Sequence, residues 1–359
     1  MKYPSLLSGA ECLSDLGGFD SIIDVRSEAE FALDHIPGAL NCPVLHNDER
    51  VRVGTIYKQI SAFEAKKIGA ALVAKNIAEH LNTSFMEKPR DWRPSVYCWR
   101  GGNRSGSLAL ILAKIGWPVV QIEGGYREYR REVINQLDEM PTHLRFAVIC
   151  GTTGSGKSRL LSTLAKLGAQ VLDLEMLAAH RGSVLGGLPG KDQPSQKLFE
   201  SRLWNELRQY SSNQIVLVES ESKKIGNLRV PEVLMEKIRS SECIRINVDT
   251  RHRVDLLIED YPHLIHDSEQ LSSQLAYLAP LHGRSKIRYW QSLAQSNVIQ
   301  TLVESLLVEH YDPAYLKSIE KNFRNYSRGV EITMTDISAE SFEHAARQII
   351  QRFNLAPAM

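Results

Sequence analysis

One cysteine lies in a segment whose composition suits nucleophilic chemistry. Cys98 belongs to the stretch Tyr97–Ser105, Y-C-W-R-G-G-N-R-S, which joins a short apolar strand to an amphipathic helix. At such a junction successive main-chain N–H groups can form an anion-binding nest, and the helix N-terminus adds partial positive charge. Arg100 and Arg104 would further stabilise the thiolate, the nucleophilic form of cysteine. The alternative is a buried structural cysteine, which the neighbouring glycines and arginines disfavour.

A second segment has the pattern of a phosphate-binding loop. Phe146–Cys150 is an apolar run typical of a buried strand, and G-T-T-G-S-G-K-S follows it directly before a helix. This is G-x4-G-K-S in the strand–loop–helix context that the motif requires. The loop predicts a diphosphate site, for which a nucleotide is the usual occupant; Lys157 would reach the terminal phosphates and Ser158 would bind Mg²⁺. The candidate phosphate-binding residues are Gly151, Gly154, Ser155, Gly156, Lys157 and Ser158.

Two carboxylates are candidates for supporting that loop. Asp173 follows the apolar run 170–172, and Glu219 ends the strand-like run 215–219. Either could contact Mg²⁺, and either could be a satisfied carboxylate at the end of a strand. The sequence leaves both interpretations open.

Basic residues recur with aromatic residues between them in the second half of the chain. Such segments can contact the phosphates of RNA and stack on its bases, although each taken alone is more often a solvated helix face. Together they make an RNA-sized surface a weak prediction. The candidate contacts are Arg251, Arg253, Arg284, Lys286 and Arg288.

The order of these segments indicates an α/β protein with two domains, as expected for 359 residues. The predicted first domain covers residues 1–137 and carries the cysteine loop. Residues 138–144, which include Pro141, form the predicted linker. Residues 145–359 form the predicted phosphate-binding domain, whose tail from about Asp260 looks largely helical.

Composition restricts the function classes. Lys plus Arg (43) nearly balances Asp plus Glu (42), so any nucleic acid must be bound by a local patch. No apolar run approaches the length of a membrane span, and the first residues lack the layout of a secretion signal, so we expect a cytoplasmic protein without membrane contact. The five cysteines are widely spaced without a C-x-x-C pair, which indicates neither a disulfide framework nor a zinc site.

The first domain resembles the rhodanese family over about residues 1–135. The resemblance depends on D-V-R at 24–26, H-I-P-G-A-L-N at 35–41, the cysteine loop, and E-G-G-Y at 123–126. In that family the matching cysteine carries a chalcogen atom as a persulfide-type adduct and transfers it. The resemblance therefore implies such a role for Cys98.

The spacing of this loop departs from the common rhodanese pattern. Arg104 is six residues after Cys98, whereas common rhodanese loops have Arg at five. A wider ring of N–H groups fits a larger atom or a phosphate-like group. Dual-specificity phosphatases with a rhodanese-like fold also use the longer loop, which keeps a phosphatase as an alternative, but they carry His where this chain has Tyr97.

Across nearly its whole length the chain resembles the tRNA 2-selenouridine synthase family. That resemblance implies a rhodanese-like α/β domain followed by a P-loop NTPase-like α/β domain with a helical C-terminal part. Besides the two loops, the similar segments are Y-K-Q-I-S-A-F-E-A-K-K-I-G-A-A-L at 57–72, D-L-E at 173–175, H-R-G-S at 180–183, V-E-S-E-S-K-K-I-G at 218–226 and H-Y-D-P at 310–313.

The resemblance implies a two-step exchange at the wobble 2-thiouridine of certain tRNAs. Geranyl diphosphate first alkylates the sulfur, and selenium from selenophosphate then replaces the S-geranyl group. These two compounds are the implied co-substrates, with no tightly bound cofactor, with Mg²⁺ left open, and with a selenophosphate synthetase as the supplier of selenophosphate. Cys98 would take selenium as a Cys–Se adduct, with Arg100 and Arg104 holding the phosphoryl group and Arg26 a weaker candidate for the same role.

Two other function classes stay open from the sequence. One is an ATP-dependent sulfurtransferase that carries persulfide on Cys98 and acts on tRNA or a small molecule. The other is a binding module in which the first domain delivers persulfide to a kinase-like partner. Dependence on ATP turnover would favour the first, and a Cys98 that forms no covalent adduct would favour a non-catalytic role.

Overall fold

The computed structural model describes residues 3–182, 186–187 and 190–355. The chain divides into two compact units, one of Met1–Gln136 with Pro194–Asn205 and the other of Leu137–Gln193 with Glu206–Met359. A segment from the predicted second domain therefore belongs to the first unit. The predicted linker 138–144 is helical up to His143. Pro141 removes one helical hydrogen bond there without ending the helix.

The first unit is built on a five-stranded parallel sheet in the order β1-β5-β4-β2-β3. All four residues of both β2 and β4 are buried, as expected for strands covered on both faces. The strands are β1 (Ser5–Leu7), β2 (Ser21–Asp24), β3 (Leu40–Asn41), β4 (Pro94–Tyr97) and β5 (Val120–Ile122).

Six helices connect and follow these strands. Ser61 is the N-cap of α4, and its hydroxyl oxygen accepts from the N–H groups of Phe63 and Glu64, as the sequence S-A-F-E predicts. The helices are α1 (Gly9–Ser14), α2 (Glu28–Leu33), α3 (Asn47–Gln59), α4 (Ala62–His80), α5 (Asn103–Ile115) and α6 (Gly125–His143), with a 3₁₀ turn at Leu16–Gly18 and a π turn at Leu81–Phe85.

The second unit contains another five-stranded parallel sheet, in the order β12-β11-β6-β8-β7. The central strand β6 ends where the phosphate-binding loop begins, and its neighbour β8 carries Glu219 at its carboxyl end. The strands are β6 (Arg145–Cys150), β7 (Gln170–Leu172), β8 (Ile215–Glu219), β11 (Glu242–Val248) and β12 (Val330–Met334), with a small antiparallel pair, β9 (Lys224–Ile225) and β10 (Leu228–Arg229).

Helices cover this sheet and form a separate apolar cluster around Trp290. The chain beyond Asp260 is mainly helical, as predicted, but β12 returns to the sheet beside β11. The helices of this unit are α7 (Lys157–Lys166), α8 (Leu174–Ala178), α10 (Glu232–Arg239), α11 (Thr250–Asp260), α12 (Pro262–Ile265), α13 (Ser268–Ala276), α14 (Ala279–Gln295), α15 (Ile299–Leu306), α16 (Asp312–Asn322) and α17 (Ala339–Phe353), with a π turn at Leu307–Tyr311 and a 3₁₀ turn at Tyr326–Arg328. The helix α9 (Gln196–Leu207) follows α8 in the chain, and its residues up to Asn205 belong to the first unit.

No helix in the described part of the chain is long and apolar enough to span a membrane.

Candidate active sites: the Cys98 loop and the phosphate-binding loop

Cys98 lies between β4 and α5, with its side chain almost fully buried. The hydroxyl of Ser105 donates a hydrogen bond to Cys98 Sγ at 3.2 Å. Gln121 on β5 supports this contact, because its Nε2 donates to Ser105 Oγ at 3.1 Å and to the Gly101 carbonyl at 2.6 Å. These hydrogen bonds join Cys98, Ser105 and Gln121 in one network that holds the Cys98 side chain in place.

The main chain after Cys98 has the unpaired N–H groups that an anion nest requires. Within the described residues, the N–H groups of residues 99–105 donate to no acceptor of the protein. Several of them belong to the first turn of α5, where helix N–H groups have no intrahelical partner. Gly101, in the left-handed region at φ +65°, bends the loop toward that turn. These N–H groups and the helix dipole favour an anion beside the sulfur.

The E-G-G-Y segment at 123–126 and the residue after it are hydrogen-bonded to the cysteine loop. The N–H of Tyr126 donates to the Cys98 carbonyl at 2.8 Å, and the N–H of Arg127 donates to the Trp99 carbonyl at 3.1 Å. The rings of Trp99 and Tyr126 stack with centroids 5.2 Å apart. Gly125 permits this approach, since a Cβ there would overlap with the Cys98 carbonyl oxygen.

We expect Gly125→Ala to destabilise the protein by about 2 kcal/mol or more, because the methyl group displaces the Cys98 carbonyl and φ is +57°. Urea denaturation measures the loss. Gly38→Ala is the matched control, since Gly38 also has positive φ (+80°) but a Cβ there would have no atom within 4 Å. Equal losses in both variants would mean that backbone strain alone acts, without a steric contact to the loop.

The two arginines of the loop have different surroundings. The Arg104 guanidinium donates to both carboxylate oxygens of Glu30 on α2, at 2.7 and 3.3 Å. Burial favours the neutral carboxyl, but the hydrogen bonds and charge of Arg104 outweigh it and lower the pKa of Glu30. Arg100 is exposed and has no ion-pair partner among the described residues. Arg100 is thus the better placed of the two to meet an incoming anion.

The side chain of Arg26 is buried in the first unit. It is 1% exposed, pairs with buried Asp24 at 2.6 Å and donates to the Asp34 carbonyl at 2.7 Å. Its guanidinium also lies 4.0 Å from the centroid of the Tyr126 ring. These contacts argue against the predicted role of Arg26 in holding a phosphoryl group and indicate that it braces the loop through Tyr126.

The phosphate-binding loop joins β6 to α7 as predicted and borders a cavity of about 1120 Å³. Lys157 Nζ donates to the Gly151 carbonyl at 2.7 Å, so the ammonium group lies folded over the loop. Ser155 Oγ is buried and has no partner among the described residues. An unpaired buried hydroxyl beside a loop of N–H groups is consistent with a phosphate group as its partner.

Two residues outside the motif hold the loop in shape. Arg253 on α11 donates to the Thr153 carbonyl at 2.9 Å and makes a two-point ion pair with Asp312 at 3.0 and 2.5 Å. The hydroxyl of Tyr315 accepts from the Gly151 N–H at 2.8 Å. Arg253 is 4% exposed, which argues against the predicted tRNA contact. Sequence reasoning missed Tyr315, and the segment H-Y-D-P, which contains Asp312, was the available signal.

Four carboxylates, those of Asp173, Glu175, Glu219 and Glu221, gather beside the loop. Ser158 Oγ donates to Glu175 at 3.0 Å, and Glu219 accepts from the N–H groups of Leu174 and Glu175 at 2.8 and 3.1 Å. Asp173 is the N-cap of α8 and accepts from the Met176 N–H. The described residues include no group of three or more metal-binding side chains arranged around a metal position. The Mg²⁺ contact of Asp173 and Glu219 stays a prediction, and both carboxylates already have a structural role.

Burial raises the pKa of Glu175 to about 7, and the charge of Glu221 adds to the effect. Burial likewise raises the pKa of Glu219, followed by repulsion from Asp173 and Glu175. With a pKa of about 7, part of the Glu175 carboxyl is protonated at neutral pH, which reduces the negative charge beside the phosphate-binding loop.

We expect the Glu175 carboxyl to make stability depend on pH between about 4.5 and 7. Its pKa is raised on folding, so in this range the folded protein keeps a proton that the unfolded chain has lost, and the free energy of unfolding falls as pH rises. The free energy of unfolding of the Glu175→Gln variant, taken relative to that of the parent protein, should therefore rise by about 1 to 3 kcal/mol from pH 5 to pH 8. Urea denaturation at both pH values measures this, with Glu304→Gln on an exposed face as control. If the two proteins differ in unfolding free energy by the same amount at both pH values, Glu175 does not titrate in this range.

The remaining basic candidates lie at the surface. Arg251, Arg284 and Arg288 are exposed, whereas Lys286 is half-buried and pairs with Glu309 at 2.5 Å. Their contact with RNA stays a prediction. In the H-R-G-S segment, Ser183 lies outside the described residues.

Two family models match the parts of the chain that contain the two loops. Residues 9–132 match the family model of the rhodanese-like domain, and residues 144–280 match that of the tRNA 2-selenouridine synthase AAA domain. A tRNA 2-selenouridine synthase of Aeromonas salmonicida is 31% identical over 357 residues, covering 91% of this chain and 94% of the relative. The chain belongs to the tRNA 2-selenouridine synthase family.

Two further members of this family are similar to this chain. The synthase of Nitrosomonas eutropha is 32% identical over 84% of this chain and 88% of its own length, and that of Nitrosomonas europaea is 37% identical over 67% of this chain and 63% of its own length. These matches confirm the family resemblance. Together with the two parallel sheets they confirm the predicted fold class, a rhodanese-like α/β domain followed by a P-loop α/β domain with a helical C-terminal part.

Proposed function

We propose that this protein is a tRNA-modifying enzyme that converts wobble 2-thiouridine to 2-selenouridine in two steps. In the first step the thiocarbonyl sulfur attacks C1 of geranyl diphosphate, the C1–O bond breaks, and diphosphate leaves. In the second step a selenium nucleophile from selenophosphate displaces the S-geranyl group as geranylthiol. The observation that carries the proposal is the presence in one chain of a cysteine in an anion nest and a diphosphate-binding loop; the names of the relatives support the product.

The first step requires stabilisation of a leaving diphosphate. The N–H groups of the loop, Lys157 and the unpaired hydroxyl of Ser155 supply donors for its developing negative charge. Alkylation also prepares the second step, because a thiocarbonyl sulfur is a poor leaving group whereas an alkylated sulfur leaves as a thiol. Neither of the two proposed steps therefore consumes a nucleotide.

The second step requires release of selenium from selenophosphate at Cys98. Attack of the thiolate on phosphorus forms an S–P bond, breaks the P–Se bond and releases hydrogen selenide without a change in oxidation state; water then cleaves the phosphocysteine. Attack on selenium would give the Cys–Se adduct implied by the resemblance, but it would expel phosphite and so reduce phosphorus. The nest after Cys98 suits the phosphoryl group, with Arg100 as an added cation, and we therefore place the attack at phosphorus.

The tRNA would contact the exposed Arg251, Arg284 and Arg288, and a selenophosphate synthetase would supply selenophosphate. Exposed positive side chains are the groups with which a nearly neutral protein can bind a tRNA backbone.

The test is nucleoside mass spectrometry of tRNA that contains 2-thiouridine, incubated with the protein and geranyl diphosphate, with and without selenophosphate and without ATP. We expect S-geranyl-2-thiouridine alone in the absence of selenophosphate and 2-selenouridine in its presence. Modification that begins only when ATP is added would overturn the proposal and favour an ATP-dependent sulfurtransferase.

A further inference from the structure

Trp99 differs from the other tryptophans of the chain in its exposure. All five tryptophans lie within the described residues. Four of them are at most 8% exposed, namely Trp92, Trp117, Trp204 and Trp290. Trp99 is 37% exposed, and it directly follows Cys98, so the Cα atoms of the two residues are about 3.8 Å apart. The exposed indole ring therefore lies beside the cysteine of the candidate active site.

A buried and braced ring supports the Trp99 side chain. The Tyr126 ring lies against the indole ring, with centroids 5.2 Å apart and planes 29° from parallel. Tyr126 is 2% exposed, its hydroxyl donates to Asp34 Oδ2 at 2.8 Å, and the Arg26 guanidinium lies 4.0 Å from the centroid of its ring. The Trp99 carbonyl also accepts from the Arg127 N–H. Trp99 is thus held in place without being buried.

The free surface of the Trp99 ring suits a planar ligand. Within the described residues, Tyr126 is the only aromatic ring that contacts Trp99, so the exposed surface lies on the opposite face and along the ring edge. Aromatic rings associate by offset stacking. A ring whose side chain is already ordered loses little conformational entropy when a second ring stacks on it.

The surroundings of the ring favour a nucleobase over other planar groups. Arg100 is exposed next to Trp99 and can pair with a phosphate of an RNA backbone. Proteins that bind single-stranded RNA commonly stack its bases on aromatic side chains and pair its phosphates with basic ones. The wobble nucleotide of a tRNA lies in such a single-stranded loop, where its base can turn toward the protein.

We propose that the target base of the tRNA stacks on Trp99, which positions C2 of that base for the selenium released at Cys98. This assignment rests on the proposed function and deepens it by naming the residue that binds the base during the second step. In that step hydroselenide forms the C2–Se bond, the C2–S bond breaks, and the departing sulfur takes the proton from selenium as geranylthiol leaves. Trp99 binds the base and exchanges no atom with it.

The first test is the tryptophan fluorescence of the full chain mixed with short single-stranded RNAs. We expect quenching by RNA that contains S-geranyl-2-thiouridine or 2-thiouridine, and none by the same RNA with an abasic site at that position. Trp99→Phe retains the four buried tryptophans and should lose the quenching. Equal quenching by the abasic RNA, quenching that requires the geranyl group, or quenching that persists in Trp99→Phe would overturn the assignment.

The second test is the selenation of tRNA that is already S-geranylated. Trp99→Leu keeps an apolar contact with Tyr126 but has no aromatic face, and we expect it to raise the KM for this tRNA by about 10- to 100-fold, the effect of losing one stacked base. Trp99→Phe should stay close to the parent protein. Phe63→Ala, which removes an exposed ring from α4 of the same unit, is the matched control and should not change the KM.

A structural role of Trp99 gives a different result. Release of selenide from selenophosphate without tRNA depends on the Cys98 loop alone and should be unchanged in Trp99→Leu. Loss of this release, or an unchanged KM, would overturn the assignment, and the fluorescence test decides the question if Trp99→Leu fails to fold. Failure of the proposed function is distinguishable, because the parent protein would then show the quenching but form no selenouridine.

Discussion

Cys98→Ala is expected to abolish selenouridine formation, with a loss of about 10³-fold or more in rate, while S-geranyl-tRNA forms at the rate of the parent protein. In the proposed mechanism the Cys98 thiolate is the only nucleophile that attacks selenophosphate. The Cys98 loop contains no other thiol that could replace it. The phosphate-binding loop is unchanged by this substitution. The S-geranyl nucleoside should therefore accumulate when both co-substrates are present.

Cys42→Ala is the matched control, because Cys42 is a buried cysteine of the same apolar cluster as Cys98. It should keep both activities. Nucleoside mass spectrometry follows the two products, and the intact mass of the parent protein mixed with selenophosphate shows whether Cys98 carries phosphate or selenium. Normal selenouridine formation by Cys98→Ala would remove the cysteine from the mechanism.

Lys157→Ala is expected to lower the rate of S-geranylation by about 10²- to 10³-fold, the usual effect of losing one donor to a developing negative charge. Its ammonium group lies over the Gly151 carbonyl, within the loop that would hold the diphosphate. Selenation should persist when the variant receives tRNA that is already S-geranylated, because that step uses the Cys98 loop.

Lys321→Ala, which removes an exposed charge from α16, controls for the general effect of charge on tRNA binding and should geranylate normally. Rates at saturating tRNA separate the chemical step from binding. If Lys157→Ala loses selenation of pre-geranylated tRNA but geranylates normally, the diphosphate is bound elsewhere.

The backbone of both loops could be predicted from the sequence because local rules determine it. Strands of a parallel sheet are apolar on both faces, so β4 and β6 appear as short apolar runs. Positive φ at Gly101 and at Gly156 suits only glycine well, and the motif places glycines there. The helix starts that follow provide the N–H groups for anions.

The partners of the charged side chains could not be predicted in this way. Arg104 and Glu30 are 74 positions apart, and Arg253 and Asp312 are 59 apart. Hydrophobic periodicity indicates which face of an element is buried, but it does not specify which opposite charge lies across from a basic residue. For this reason the sequence predicts that Arg26 and Arg253 meet ligands, whereas their contacts brace the two loops.

Sequence alone thus predicted a nucleophilic cysteine in a nest and a diphosphate loop, and it identified the family that combines them. Tertiary structure decided which side chains lie at the two loops. It assigned residues 194–205 to the first unit and formed an apolar pocket of about 70 Å³ between helices whose separate patterns are ordinary amphipathic ones. The physical reason is that a pocket is the space left between packed elements, and this space depends on long-range packing that no local pattern records.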